Sequence, residues 1–286
     1  MLDADQLDLA RRKLHCLERP LTLRLDVGEQ PTDDEDLFAQ ALLTVVEAIR
    51  AVAPQMLVVE HAAQHAPLPC LSVANVRYRA VPVDREFEPF LELLCELSRA
   101  RPPAVPDGGG PPDAAELRVL VAPTCPNCPG VVVEAARLAA SSPELTLEIV
   151  DVQYFTALAG ACRSVPTVII DDRYTIVGPT TAQQLLEVLR GRGAPGHIGE
   201  AVASMLAAGR LDDTARLLAS DAAAARSLAG LMRSATMQQK VSLMLAVEQA
   251  LAGDAHCLDV AVPGLVELLD SDDATLRGDT ADLLGQ

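Results

Sequence analysis

Two cysteines three residues apart are the side chains in this sequence best suited to do chemistry. Cys125 and Cys128 stand in "VAPTCPNCPGVVVEAARLAA", between a short apolar run and an Ala-rich one. Three readings are open: a redox pair, half of a metal site, or two small buried hydrophobes. A redox pair needs one exposed thiol with a depressed pKa and a second within disulfide reach. The expected strand-to-helix junction at Cys125 suits this, because the unpaired N–H groups and dipole of a helix start stabilise a thiolate. Cys128 lies about one helical turn further on, close enough to attack a mixed disulfide on Cys125. A zinc site would need a second Cys or His pair at ligand spacing. Cys16, Cys70, Cys95, Cys162 and Cys257 stand singly, and the i,i+4 pair His61 and His65 in "EHAAQHAP" is expected in a loop. No metal or other cofactor is therefore expected. A strand-to-helix junction is also a poor place for two inert thiols.

The elements that must position the pair follow from the pattern around it. "LRVLVAP" reads as a buried strand, and Pro129 sits just inside the start of a helix that carries Val131 to Ala140. "LTLEIVDV" is a second strand, "PTVIIDD" and "YTIVG" a hairpin, and "TAQQLLEVLR" an amphipathic closing helix. Pro166 in "RSVPTVII" stands at a strand mouth, where proline is tolerated. A cis Val165–Pro166 bond there would make a tight turn toward the cysteines, offering backbone to a substrate strand. The same order of elements appears upstream without the close pair: strands in "LERPLTLRLDVG" and "QMLVVEHA", a helix over "DDEDLFAQALLTVVEAIRAV", a strand pair, and the helix "EFEPFLELLCELS". The repetition suggests an internal duplication.

The 286 residues are half hydrophobic, enough for two or three domains. "RPPAVPDGGGPPD" cannot be helix or central strand, so it reads as a linker. The expected division is 1–101, a unit without a close cysteine pair; 102–113, linker; 114–193, the unit with "CPNC"; and 197–286, an all-α tail. "VPGLVELLDSDDATLRGDTADLLG" has the outline of a HEAT-type repeat. Because the sequence stops at the end of that unit, a truncated or short array is expected. The fold class is thus α/β, two fused units with the same order of elements, followed by an all-α region of HEAT-like helices. The net charge of -17 argues against nucleic acid or anionic membrane as partners. No run approaches the roughly 18 apolar residues of a membrane span, and the acidic start lacks a secretory pattern. A cytoplasmic location is the default, where a structural disulfide framework is not expected. Cys16, Cys70, Cys95 and Cys257 then read as core or inert. Cys162, four residues before Pro166, reads as a packing residue, with a third redox thiol as the alternative.

Strand, Cys-x-x-Cys, helix and a later Val-Pro-Thr resemble the thioredoxin pattern. "TCPNCP" resembles the N-terminal domain of the alkyl hydroperoxide reductase flavoprotein, and is similar to the tandem protein disulfide oxidoreductases of thermophiles. That flavoprotein domain is two thioredoxin-like halves, the second carrying the pair, a layout this chain repeats over about residues 1–190. The resemblance thus implies that both units are thioredoxin-like, so that the α/β part is two fused thioredoxin-like units ahead of the HEAT-like helices. The resemblance implies a buried assisting acid at Glu86, with Arg85 where the family has His. It implies cis prolines at Pro69 and Pro166. Thr124, Pro126 and Asn127 around the pair, and Val165 and Thr167 around Pro166, are the expected substrate contacts. The family's flavin and nicotinamide domains do not follow, and "GRGAPG" follows a helix rather than a strand, so it reads as linker.

The leading expectation is a cytoplasmic thiol–disulfide oxidoreductase acting on protein disulfides. Cys125 attacks, Cys128 resolves, Glu86 exchanges a proton with Cys128, a separate reductase recharges the pair, and the helical tail recognises partners. Two alternatives stand beside it: a relay module that reduces a peroxiredoxin, and a redox-responsive scaffold in which the dithiol state gates a client bound by the repeats.

Overall fold

The computed structural model describes residues 2–27, 32–62, 69–100, 114–160, 162–192 and 197–285. The expected linker therefore lies outside the described residues, as does His65. The first half runs α1 (Ala4–Leu14), β1 (Leu21–Asp26), α2 (Asp33–Val52), β2 (Leu57–Ala62), β3 (Cys70–Val73), β4 (Val76–Arg79) and α3 (Phe87–Ser98). The second runs β5 (Ala115–Val121), α4 (Cys128–Ser141), β6 (Leu145–Asp151), α5 (Thr156–Ala159), β7 (Thr167–Ile170), β8 (Tyr174–Val177) and α6 (Ala182–Gly191). Local chemistry sets these bounds. α2 begins in a capping box, with Thr32 and Glu35 each taking the other's backbone N–H. α4 begins with proline in its first turn.

Strands β1 to β7 lie in the order β2-β1-β3-β4-β6-β5-β7. β1 pairs parallel with β2 and antiparallel with β3, while β5 pairs parallel with β6 and antiparallel with β7. The join is β4 beside β6, parallel, with Val76 opposite Leu147 and Arg79 opposite Val150. The halves thus share one continuous sheet. β6 is buried almost throughout because both its faces are covered. Leu23, Leu42, Ile49, Leu71, Leu147 and Ile149 are fully buried, each contributing about 1.5–3 kcal/mol.

The join also carries charge. Glu148, on β6, accepts from Arg79 Nε at 2.7 Å and from Arg118 Nε at 2.9 Å, so one carboxylate ties β4, β6 and β5 together. Arg79 and Glu148 are only 2% and 3% exposed. Burial alone would raise the Glu148 pKa, but the hydrogen bonds and charges of the two guanidinium groups hold it below the usual value. Asn75, in the β3–β4 turn, adds a neutral clasp. Its side-chain N–H groups donate to the carbonyls of Ala139 (2.9 Å) and Ser142 (3.1 Å) at the end of α4.

The chain divides into two units, and β8 is grouped mostly with the second. The first unit is Met1–Gly160, Ser164–Asp171 and Val177–Arg190; the second is Ala161–Arg163, Asp172–Ile176 and Gly191–Gln286. The second contains α7 (His197–Ala207), α8 (Leu211–Ser220), α9 (Ala222–Arg226), α10 (Leu228–Ser234), α11 (Met237–Gly253), α12 (Val262–Val266) and α13 (Ala274–Leu284). Its core is mostly Leu and Ala, with Val202, Met205, Met232 and Val247, and draws on every one of these helices. Within it, Arg210 donates to Thr175 Oγ1 at 2.9 Å and to the Asp172 carbonyl at 3.2 Å.

Three expectations need correction. His61 lies on strand β2 with its side chain exposed, as the strand reading of "QMLVVEHA" has it, and not in the loop expected of the His61 and His65 pair. The run "DAAAARSLAGLMRS", whose Ala- and Leu-rich composition reads as one helix of the tail, is two helices that meet at Ser227. Cys16 and Cys95 are not inert core residues: Cys16 is exposed, Cys95 half-buried, and their sulfurs are bonded. No helix among the described residues is long and apolar enough to cross a membrane.

Removing the carboxylate that joins the strands leaves the buried Arg79 guanidinium and the partly buried Arg118 guanidinium without their shared partner. Glu148→Ala is expected to lower folding stability by about 3–5 kcal/mol. Replacing the group with an apolar set, Arg79→Met with Glu148→Leu and Arg118→Met, is expected to recover most of that loss. Chemical denaturation of the variants beside the parent checks both.

Candidate functional site

Strand β5 delivers the chain to the site. Beyond Val121 the backbone turns, with Cys125 N–H donating to the Ala122 carbonyl at 3.0 Å. Asn127 precedes the first turn of α4 but makes no side-chain cap. Sulfur takes that place: Cys128 N–H donates to Cys125 Sγ at 3.1 Å. Pro129, next in line, has no N–H to satisfy. The Cα atoms of Cys125 and Cys128 are 5.5 Å apart and their sulfurs are bonded, within the span a disulfide allows. Cys125 is 6% exposed and Cys128 fully buried, so only Cys125 has an edge at the solvent.

Around that edge Thr124, Pro126 and Asn127 are exposed. Val165 is half-buried, and Pro166 and Thr167 are buried. Register brings the two segments to one end of the sheet. Leu120 on β5 pairs with Thr167 on β7, so one step further Pro166 stands across from Val121, where the chain leaves for Cys125. The Val165–Pro166 peptide is cis. Thr167 Oγ1 donates to the Ser164 carbonyl at 2.7 Å, and the Pro166 carbonyl accepts from Gly178 N–H at 2.8 Å. Pro69 is buried at the mouth of β3, and the residue before it lies outside the described residues. Cys162 is half-buried and falls in the second unit, while Cys70 is buried on β3.

Glu86 closes a 3-10 turn, Asp84–Glu86, that runs directly into α3 and packs against α4. Asp84 takes a φ of 48°, a left-handed conformation that Asp tolerates better than most residues. The turn leaves Asp84 and Arg85 exposed and Glu86 only 2% exposed. Neither carboxylate oxygen of Glu86 has a hydrogen-bond partner. Burial pushes its pKa up to about 7; the Tyr78 hydroxyl, outside hydrogen-bonding geometry, opposes the rise and the charge of Asp151 adds to it. Asp151, at the end of β6, is itself raised by burial against a 2.8 Å hydrogen bond from Gln153 N–H. Tyr78 and Asp151 were not singled out from the sequence. An acid at the end of the strand run "LTLEIVDV" was the available signal for Asp151. Among the described residues no group of three or more His, Cys, Asp or Glu could hold a metal ion.

This arrangement is a disulfide-capable pair at the start of a helix, with a buried acid on a neighbouring turn. Residues 115–190 match the thioredoxin domain. Over 66% of the chain the fold is similar to the alkylhydroperoxide reductase AhpF of Enterococcus faecalis, at 17% identity, TM-score 0.57 and 99% of that chain. The N-terminal domain of the same protein, solved separately, is similar at 16% identity and TM-score 0.58, covering 66% of this chain and 100% of that one. A protein disulfide oxidoreductase from Aeropyrum pernix is similar at 17% identity and TM-score 0.55, covering 67% of this chain and 94% of that one. No curated protein matches the chain in sequence. The thioredoxin domain and its Cys125–Cys128 pair place the chain in the class of thiol–disulfide oxidoreductases. Its α/β region is thioredoxin-like and is followed by helices.

The raised Glu86 pKa ties stability to pH with a definite sign. A carboxyl whose folded pKa lies above its unfolded value of about 4.3 stabilises fully below that value. The contribution is lost as pH rises through about 7. Glu86→Gln, which stays neutral, is therefore expected to gain about 2–3 kcal/mol relative to the parent between pH 4 and pH 8. Denaturant midpoints measured at both pH values, with the cysteines kept oxidised, check it.

Proposed function

We propose that the chain exchanges electrons with protein disulfides through Cys125 and Cys128. The observation that carries this reading is the Cys128 N–H aimed at Cys125 Sγ at the start of α4. When the pair is reduced, that donor and the helix start favour a thiolate on Cys125 over one on the fully buried Cys128. The Cys125 thiolate attacks one sulfur of the substrate disulfide, which breaks and releases a substrate thiolate. Cys128, once deprotonated, attacks Cys125 Sγ and frees the second substrate sulfur. The substrate gains two electrons, and the protein pair gives up two to become a disulfide. A separate dithiol reductase returns them.

Glu86 is proposed to take the Cys128 proton, since a carboxyl poised near pH 7 can accept and return it at neutral pH. Thr124, Pro126 and Asn127 are the proposed side-chain contacts of a substrate segment, which lies along the backbone from Val165 to Thr167. The helices after α6 are proposed as HEAT-like repeats that recognise a protein partner. Met237, Val241 and Leu245 support this: they recur at i, i+4 and i+8 on α11, and each is about half exposed or more. The proposed division of the chain is residues 1–101 for the half without the pair, 114–193 for the half with it and 197–286 for the tail. The proposed setting is the cytoplasm.

Insulin reduction driven by dithiothreitol tests the reading. Cys125→Ser is expected to abolish turnover above the uncatalysed rate, and unchanged turnover would sink the proposal. Cys128→Ser is expected to hold a mixed disulfide on Cys125 that survives non-reducing electrophoresis. Glu86→Gln is expected to slow turnover about 10²-fold at pH 7. Its rate should also lose the inflection near pH 7 that the parent shows.

A further inference from the structure

Cys16 and Cys95, in the half without the close pair, take no part in the chemistry above. Cys16 lies two residues past α1 and is exposed, and Cys95 sits in the last turn of α3 and is half-buried. Their Cα atoms are 5.8 Å apart and their sulfurs are bonded, across a sequence separation of 79. Nothing local brings such distant residues together. A polar seam between α1 and α3 does. Lys13 Nζ meets Glu88 Oε1 at 2.9 Å and Glu92 Oε1 at 2.7 Å. Past the helix ends, Glu18 N–H donates to Ser98 Oγ at 3.3 Å, Arg19 Nε to the Ser98 carbonyl at 3.3 Å, and Ala100 N–H to Glu18 Oε2 at 2.8 Å.

α1 needs such fastening. Only Ala10 and Leu14 among its 11 residues are buried, and a helix of that length is marginal in water by itself. The seam also works on the sulfurs. It holds the two thiols side by side when reduced, so each meets the other at an effective concentration far above that of a free thiol. A bond across 79 residues removes much loop entropy from the unfolded chain, and one across three residues removes little. By linkage, the fold therefore favours the longer bond more strongly.

We propose that Cys16 and Cys95 form a second dithiol–disulfide centre, a staple between α1 and α3 that is made by exchange with low-molecular-weight disulfides and is harder to reduce than Cys125–Cys128. The exposed Cys16 reacts first. Its thiolate attacks the reagent's S–S bond, which breaks, leaving a mixed disulfide on Cys16 and one thiolate that takes a proton from water. Cys95, as thiolate, then attacks Cys16 Sγ and expels the second reagent thiolate. Two protein thiols lose two electrons in all, and one reagent disulfide becomes two thiols. Opening runs the same steps backward.

The test uses the full chain in two forms. In the Cys125→Ser/Cys128→Ser variant, equilibration with oxidised glutathione, acid quenching and peptide mass spectrometry should find a Cys16–Cys95 linked peptide. Adding Cys95→Ser should leave a persistent glutathione adduct on Cys16, and adding Cys16→Ser instead should leave Cys95 a thiol. Hydrogen exchange of the α1 amides should be at least about tenfold slower in the stapled form than after reduction. In the unsubstituted protein, graded dithiothreitol should release the Cys125 and Cys128 thiols before those of Cys16 and Cys95. The proposal is overturned if no linked peptide forms, if α1 exchanges equally in both states, or if Cys16 and Cys95 open first or together with the other pair. Insulin turnover by the parent after the first release step reads the other pair separately, so either idea can fail without the other.

Discussion

The parallel contact of β4 with β6 is the constraint on which the first unit rests. Each half supplies strands that must bury a face, and at this contact the two sets become one sheet. The geometry that matters chemically follows from it. β4 leads into the turn that buries Glu86, and β6 lies between β4 and β5, the strand that ends at the cysteine junction. Displacing β4 by one residue would turn its side chains to the opposite face. Tyr78 would leave its place beneath Glu86, and Arg79 would leave Glu148.

Glu148 makes that register hard to change. Coulomb attraction alone would tolerate small slips, but a buried carboxylate with two partners is favourable only where both hydrogen bonds are made. Arg79 comes from one half, Arg118 and Glu148 from the other, and the Arg79 guanidinium also lies 5.9 Å from the Phe155 ring centroid. Apolar strands supply the burial energy without much preference for one alignment. The triad and the Asn75 clasp supply the preference.

Periodicity carried most of the fold into view from the sequence. The run beginning at Asp33 is a helix over its full length because Thr32 and Glu35 cap it and its apolar positions recur at helical spacing. The junction at Cys125 was legible for the same reason, an apolar β-branched run meeting proline and an Ala-rich stretch. What periodicity cannot carry is a partner distant in sequence. Glu148 looked like a tolerated acid within "LTLEIVDV", since its two arginines lie 30 and 69 residues away. Cys16 and Cys95 looked inert because no spacing rule links residues 79 apart. Two helices meet at Ser227, on a stretch whose composition favours continuation.

A carboxylate shared by arginines from two halves has a bearing on descent. If the halves arose by copying one ancestral unit, neither can since have drifted alone at this point. A change at Arg79 leaves the buried Glu148 carboxylate of the other copy with Arg118 as its one guanidinium partner, so the two halves are constrained together at this point. A counterpart borrowed from a distant relative would have to bring its own basic side chain to Glu148.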